Sequence, residues 1–195
     1  ARQGSKVRIE GTSNIHDWQV ESLFVGGFLE VDPGFPLDPG QAAKPGKLKA
    51  QAQVAIPVRS LKSVEKDGKP YNDKMDEIMW EKLKLEQQPK ILYYLRELAL
   101  KETPQAKDAP YILDSKGELV VAGVTNTVSM PVSALPLGDK KLKLSGSTTL
   151  KMTSFGIDPP APKWLASLIK TGDDVKIIFE WIVAPKTAPV ATASK

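Results

Sequence analysis

His16 is the chain's one histidine and stands beside Asp17, the pairing with which a hydrolase orients an imidazole as general base. The groups that would complete such a site are missing from the sequence. A nucleophilic serine of the hydrolase kind sits on a sharp Gly-x-Ser-x-Gly turn, and Ser154-Phe155-Gly156 lacks that pattern. There is no cysteine, hence no thiolate nucleophile, no disulfide framework and no way to complete a Cys/His zinc site. No glycine-rich loop leads into a helix with a following Lys-Ser or Lys-Thr, the arrangement that cradles phosphate. His16 therefore reads as a structural hydrogen-bonding residue, no catalytic residue and no metal ligand is expected, and an uncharacterised hydrolase ranks last among the readings because it needs a polar constellation the sequence does not show.

Composition narrows the class further. A chain of 195 residues is one domain with room for a sizeable core. Hydrophobic residues at 41% and charged residues at 26% exclude both a wholly disordered and a membrane-embedded chain. The longest apolar stretch, 175–184, is interrupted by Lys176 and Glu180 and is far shorter than the roughly 20 residues that span a bilayer. The net charge is +4, but the lysines are dispersed, which predicts a solvated basic surface and no nucleic-acid partner. Absence of cysteine fits an oxidising compartment. Because the sequence starts at Ala1 in a polar segment, any signal peptide is expected to have been removed.

One-sided strands are the elements that must position a binding site. Residues 47–59 alternate strictly, with Leu48, Ala50, Ala52, Val54, Ile56 and Val58 on one face and Lys47, Lys49, Gln51, Gln53 and Arg59 on the other. Residues 141–152 repeat the pattern, with Leu142, Leu144, Gly146, Thr148, Leu150 and Met152 on the apolar face. Further strands are expected at 6–11, 18–31 with a break at Gly26-Gly27, 91–101, 119–123, 127–133 and 175–183, about eight in all. Hairpin connections at 114–117 and 137–140 make neighbours antiparallel.

Two segments leave the period of two. After a capping Asp73, with Asp76 and Glu77 in the first turn, residues 73–84 bring Met75, Ile78, Met79 and Leu83 to helical spacing. A second, shorter helix is expected at 162–170, with Trp164, Leu165, Leu168 and Ile169 on one side and Gly172 as its stop. The prolines Pro33, Pro36, Pro39 and Pro45 mark 32–46 as an exposed loop. An Ala/Pro/Thr-rich composition predicts a mobile tail at 185–195, which leaves 1–184 as the single folded domain.

Strands of this kind bury their apolar face in a two-sheet sandwich or in a sheet closed on itself. Small inward residues at Ala50, Ala52, Gly146 and Thr148 point to unfilled space, as in a barrel that holds a ligand, although small residues also make room for large neighbours. A barrel lined by Ala52, Val54, Ile56, Val58, Ile91, Tyr93, Leu95, Leu119, Val121, Leu142, Leu144, Ile177 and Phe179 has no ionised group and suits an apolar ligand. The alternative is that these residues fill a packed core. The Met75, Ile78, Met79 and Leu83 stripe is either core or an adaptable border of the ligand site. Trp18, Trp80, Trp164 and Trp181 are packing anchors, Trp80 at a barrel mouth.

Five groups of residues, in order, carry a resemblance. They are SKVRIEGTSNIHDW from Ser5; VAIPVRSLKS from Val54; MDEIMWEKLK followed by PKILYYL; GELVVAGVTNTVSMPV; and SFGIDPP before DDVKIIFEW. Together they resemble the YceI-like family over roughly residues 5–184. The resemblance implies a mainly β fold, an antiparallel lipocalin-like barrel capped by one or two helices. It further implies export to the periplasm and binding of a polyisoprenoid, an isoprenoid quinone or a fatty-acid-like amphiphile in the barrel, with no other cofactor required. Peripheral contact with a membrane, or a role as an accessory subunit of a membrane-associated complex, is the alternative it leaves.

Overall fold

The computed structural model describes residues 3–104, 106, 108–160 and 170–186. The helix expected at 162–170, except Lys170, and the tail beyond residue 186 lie outside the described residues.

In chain order the strands are β1 (Lys6–Ser13), β2 (Trp18–Ser22), β3 (Gly26–Val31), β4 (Gly46–Leu48), β5 (Ala50–Pro57), β6 (Lys62–Val64), β7 (Lys90–Glu102), β8 (Tyr111–Val121), β9 (Val124–Gly138), β10 (Lys141–Lys151) and β11 (Thr171–Val183). One helix, α1 (Asp73–Lys82), follows β6. All eleven strands join one sheet in the order β3-β5-β7-β8-β9-β10-β11-β1-β2-β6, with β4 also on β7. Every pairing is antiparallel.

This order forces the sheet to curl. Strands β2 and β3 belong to opposite ends of the path, yet only residues 23–25 connect them. At about 3.3–3.6 Å per residue that link spans at most about 14 Å. The single turn Val58–Ser60 likewise ties β5 to β6 at the other end. Among the described residues the result is a half-closed antiparallel barrel with one helix, in agreement with the expected lipocalin-like class.

The strand count exceeds the expected eight for local reasons. The 47–59 segment kinks at Lys49 into β4 and β5, the 18–31 segment breaks at 23–25 and not at Gly26-Gly27, and β6 is too short to show a period. The hairpin expected at 114–117 is wrong, because those residues run through the middle of β8, paired on both sides. Asp114 and Lys116 there face outward and pair with Lys101 and Glu97 of β7. The true β8–β9 turn is Ala122-Gly123, both at positive φ (51° and 84°), as a two-residue hairpin requires. Asp139 and Lys140, at φ 50° and 56°, make the expected β9–β10 turn in the same way.

Helix α1 starts one residue earlier than expected. Its cap is Asn72, whose side-chain oxygen accepts from the N–H groups of Lys74 and Met75. Its buried face is centred on Asp76, Met79, Trp80 and Leu83, because the Asp76 carboxylate accepts the Ser63 N–H (2.6 Å) and meets Lys62 Nζ (3.0 Å) on β6. That rotation leaves Met75 and Ile78 outside, 37% and 38% exposed, so the four apolar residues do not form one inward stripe.

The proline-rich segment is not simply an exposed loop. Phe35 and Pro36 are fully buried, and the Tyr111 hydroxyl donates to the Gln41 carbonyl, so this segment closes one end of the barrel. Leu100, Leu113 and Leu142 pack tightly at that end.

Candidate functional site

Above the plugged end, the inward faces of the strands enclose a cavity of about 140 Å³ whose surface is wholly apolar. Strand β5 contributes Ala52, Val54 and Ile56; β7 contributes Tyr93 and Leu95; β8 contributes Leu119; β10 contributes Leu144; and β11 contributes Ile177 and Phe179. These are nine of the expected lining residues, and among the described residues no charged side chain joins them.

The other expected residues lie elsewhere. Val58, Ile91, Leu142 and Leu83 are buried in the surrounding core, and Val121 and Met79 pack partly buried against it. With Met75 and Ile78 exposed, no residue of α1 lines the cavity, so the helix does not border it as the sequence led us to expect. Trp80 instead braces the turn before β6, donating to the Leu61 carbonyl at 3.1 Å beneath Arg59 and Lys62.

Several lining residues went unrecognised. Trp181 continues the alternation of Ile177 and Phe179 by one step, Val7 lies on a strand from which no lining residue was named, and Leu98 is out of step with Tyr93 and Leu95 because the β7–β8 register shifts between Leu95 and Glu97. Leu113, Ser115, Val128, Val132 and Met130 were obscured by the misplaced hairpin and by the length of β9. Val25, Leu29 and Phe35 belong to the broken strand and the proline-rich segment, where no periodic signal exists.

The small inward residues divide between the two roles considered above. Ala52 and Thr148 do face the cavity. Gly146 makes room for a large neighbour, since a β-carbon there would lie 2.9 Å from the Phe179 ring and 2.7 Å from the Pro131 carbonyl. Gly117 does the same for Tyr93, whose ring a β-carbon would strike.

Polar groups near the cavity are few. Ser115 Oγ donates to the Met130 carbonyl at 2.9 Å. The buried Tyr93 hydroxyl is the one buried side-chain polar atom without a hydrogen-bond partner among the described residues. Burial pushes its pKa up, and the nearby Ser115 hydroxyl partly counters this.

His16 lies on the loop between β1 and β2. It is exposed, with Nδ1 2.8 Å from the Asp17 backbone carbonyl and Nε2 3.3 Å from the Tyr71 hydroxyl, a structural arrangement. It borders a larger groove of about 990 Å³ that β1, β2, β6 and residues 65–75 form, with side chains of both charge signs in its wall. Among the described residues no group of His, Asp and Glu is arranged to hold a metal ion, and no helix is long and apolar enough to cross a membrane.

A half-closed antiparallel barrel around an apolar cavity defines the class of this protein, and comparison with known families makes it specific. Residues 4–182 match the YceI-like domain, and the chain belongs to that family. Solved structures share the fold. BcnA of Burkholderia cenocepacia is 17% identical, with a TM-score of 0.64 over 92% of this chain and 96% of its own. A polyisoprenoid binding domain from Saccharophagus degradans, implicated in plant cell wall breakdown, is 14% identical, with a TM-score of 0.65 over 93% and 94%. A Campylobacter jejuni YCEI protein is 15% identical, with a TM-score of 0.56 over 86% and 85%. A search of curated proteins finds no match.

Proposed function

We propose that this protein binds or carries an amphiphilic lipid, a polyisoprenoid, an isoprenoid quinone or a fatty-acid-like chain, inside the barrel and without catalysis, in the periplasm. The observation that carries the reading is the cavity wall, in which the described residues present an apolar surface and no charged side chain. Family membership supports it, as does the fold shared with a polyisoprenoid binding domain.

The cavity is small beside a whole lipid chain. A void of about 150 Å³ with such walls stays dry and takes a benzene-sized guest, so the 140 Å³ here seats only a short part of a lipid chain. A longer chain is accommodated as flexible wall residues such as Leu29 and Met130 turn aside. Burying ten methylenes at about 0.8 kcal/mol each gives roughly 8 kcal/mol gross, near micromolar before ordering costs are subtracted. An ionised head group has no counter-charge inside and stays at the surface.

Organic extraction of freshly purified protein followed by mass spectrometry tests the reading. The expected result is a co-purifying lipid in near-stoichiometric amount, or stoichiometric uptake by delipidated protein. Neither lipid in the extract nor uptake afterwards would overturn it.

A further inference from the structure

Toward the plugged end the cavity wall stops one inward position short of a fully buried side chain. Its last residues there are Leu98 on β7, Leu113 on β8 and Leu144 on β10. The next inward residues on those strands, Leu100, Tyr111 and Leu142, are fully buried and take no part in the wall. Phe35 meets the cavity at this end. It is 2% exposed and, among the described residues, is the one wall residue that the proline-rich segment supplies.

The backbone that presents Phe35 is held by bonds that do not involve its ring. Its N–H donates to the Asp32 carbonyl at 2.9 Å and closes a turn through Pro33-Gly34, with Asp and Pro at the positions such turns favour. The Asp32 N–H donates in turn to the Lys49 carbonyl between β4 and β5 at 3.2 Å. Beyond Phe35, the Gln41 side-chain oxygen accepts the N–H groups of Leu37 and Asp38 at 3.0 and 3.2 Å. The Tyr111 hydroxyl donates to the Gln41 carbonyl, and Lys140 Nζ reaches Asp38 at 3.0 Å. The segment is therefore tied to three places on the barrel, and shortening the Phe35 side chain leaves every one of those ties in place.

We propose that Phe35 is the floor of the lipid site and sets the length of chain the protein accepts, the chain lying with its apolar end against the Phe35 ring. The proposal rests on the lipid-binding reading of the cavity and adds its specificity. Each methylene placed in the cavity leaves water and adds to affinity until the tip of the chain meets the ring. Further carbons then stay in water or displace the close-packed Leu100, Tyr111 and Leu142 behind it, which costs more than their burial returns. The apolar end lies innermost because nothing at the floor receives a polar head: the wall there is apolar, and the Tyr111 hydroxyl behind it is already spent on Gln41.

The test is a homologous series of sodium alkanoates, from hexanoate to hexadecanoate, titrated calorimetrically into delipidated protein below micelle-forming concentrations. Wild-type affinity is expected to rise about fourfold per methylene, the equivalent of about 0.8 kcal/mol, up to a limiting chain length and then to level off. Phe35→Ala removes about six side-chain carbons and Phe35→Leu about three, and the limiting length should move out by about the same numbers. The leucine variant carries the test if the alanine variant does not fold. Leu61→Ala is the control for a loosened barrel, since Leu61 is fully buried, outside the wall and bonded through its carbonyl to Trp80 of α1; its limiting length should match wild type. A limiting length unchanged in both Phe35 variants, an equal move in Leu61→Ala, or wild-type affinity still climbing at hexadecanoate overturns Phe35 as the floor and leaves the cavity reading intact. Binding of no alkanoate by wild type or by either Phe35 variant overturns the cavity reading and the floor together.

Discussion

Ala52→Leu is the substitution that distinguishes a void from a packed core. Ala52 is 7% exposed, faces the cavity and pairs with Leu29 of β3. The cavity of about 140 Å³ has room for about six carbon atoms, judged by the benzene-sized guest of a similar void. Leucine adds about three methylene equivalents, worth roughly 2.4 kcal/mol at about 0.8 kcal/mol each. Side-chain ordering removes about 0.5–1 kcal/mol of that. The net stabilisation of delipidated protein is about 1.5 kcal/mol, a rise in Tm of about 3–6 °C for a chain of this size. The control is Ala134→Leu. Ala134 is also fully buried but does not face the cavity, and overpacking there costs about 1–3 kcal/mol. Thermal unfolding followed by far-ultraviolet circular dichroism reads both. If Ala52→Leu lowers Tm as Ala134→Leu does, the interior holds no usable space and the argument for a ligand cavity collapses.

Three more expectations follow from particular side chains. Tyr93→Phe removes a buried hydroxyl without a partner, so the urea midpoint should rise by the equivalent of about 1 kcal/mol; a fall would mean the hydroxyl is satisfied. The same phenol has its pKa raised by burial, so the folded state holds the proton more tightly than the unfolded state. Its contribution is therefore complete below the ordinary tyrosine value near 10 and lost as pH rises through the higher folded value, and Tyr93→Phe should show a shallower alkaline loss of stability than wild type. Asp76→Ala strands the buried Ser63 N–H and should cost about 1–3 kcal/mol, with Asp76→Asn, which keeps an acceptor, costing less in the same denaturation series.

The legible parts of the fold were those where one face of a strand is dry and the other wet. Lysines opposite Leu142 and Leu144 made β10 readable, and the same logic set Val54 and Ile56 on the cavity side. Composition misled where a turn-forming sequence serves packing. Asp114 through Gly117 resembles a turn, but two residues are there for cross-strand ion pairs and the glycine is there for the Tyr93 ring. The real turn, Ala122-Gly123, hides inside an apolar run. Helical spacing alone could not orient α1, because the contact of Asp76 with Ser63 and Lys62 rotates the helix away from its apolar stripe. Phe35 was out of reach for a different reason, since a plug residue in a Pro/Gly-rich segment is fixed only by tertiary contacts.

The central claim concerns where the ligand sits, and nuclear Overhauser effects from bound decylubiquinone to assigned methyl groups measure that. Delipidated protein reloaded with the quinone should give cross-peaks to the methyls of Val54, Ile56, Leu119 and Ile177, which line the cavity, and none to Leu23 once unbound quinone is removed. Cross-peaks confined to outward-facing or groove residues such as Ile15 and Met75, with the cavity methyls silent, would contradict the account.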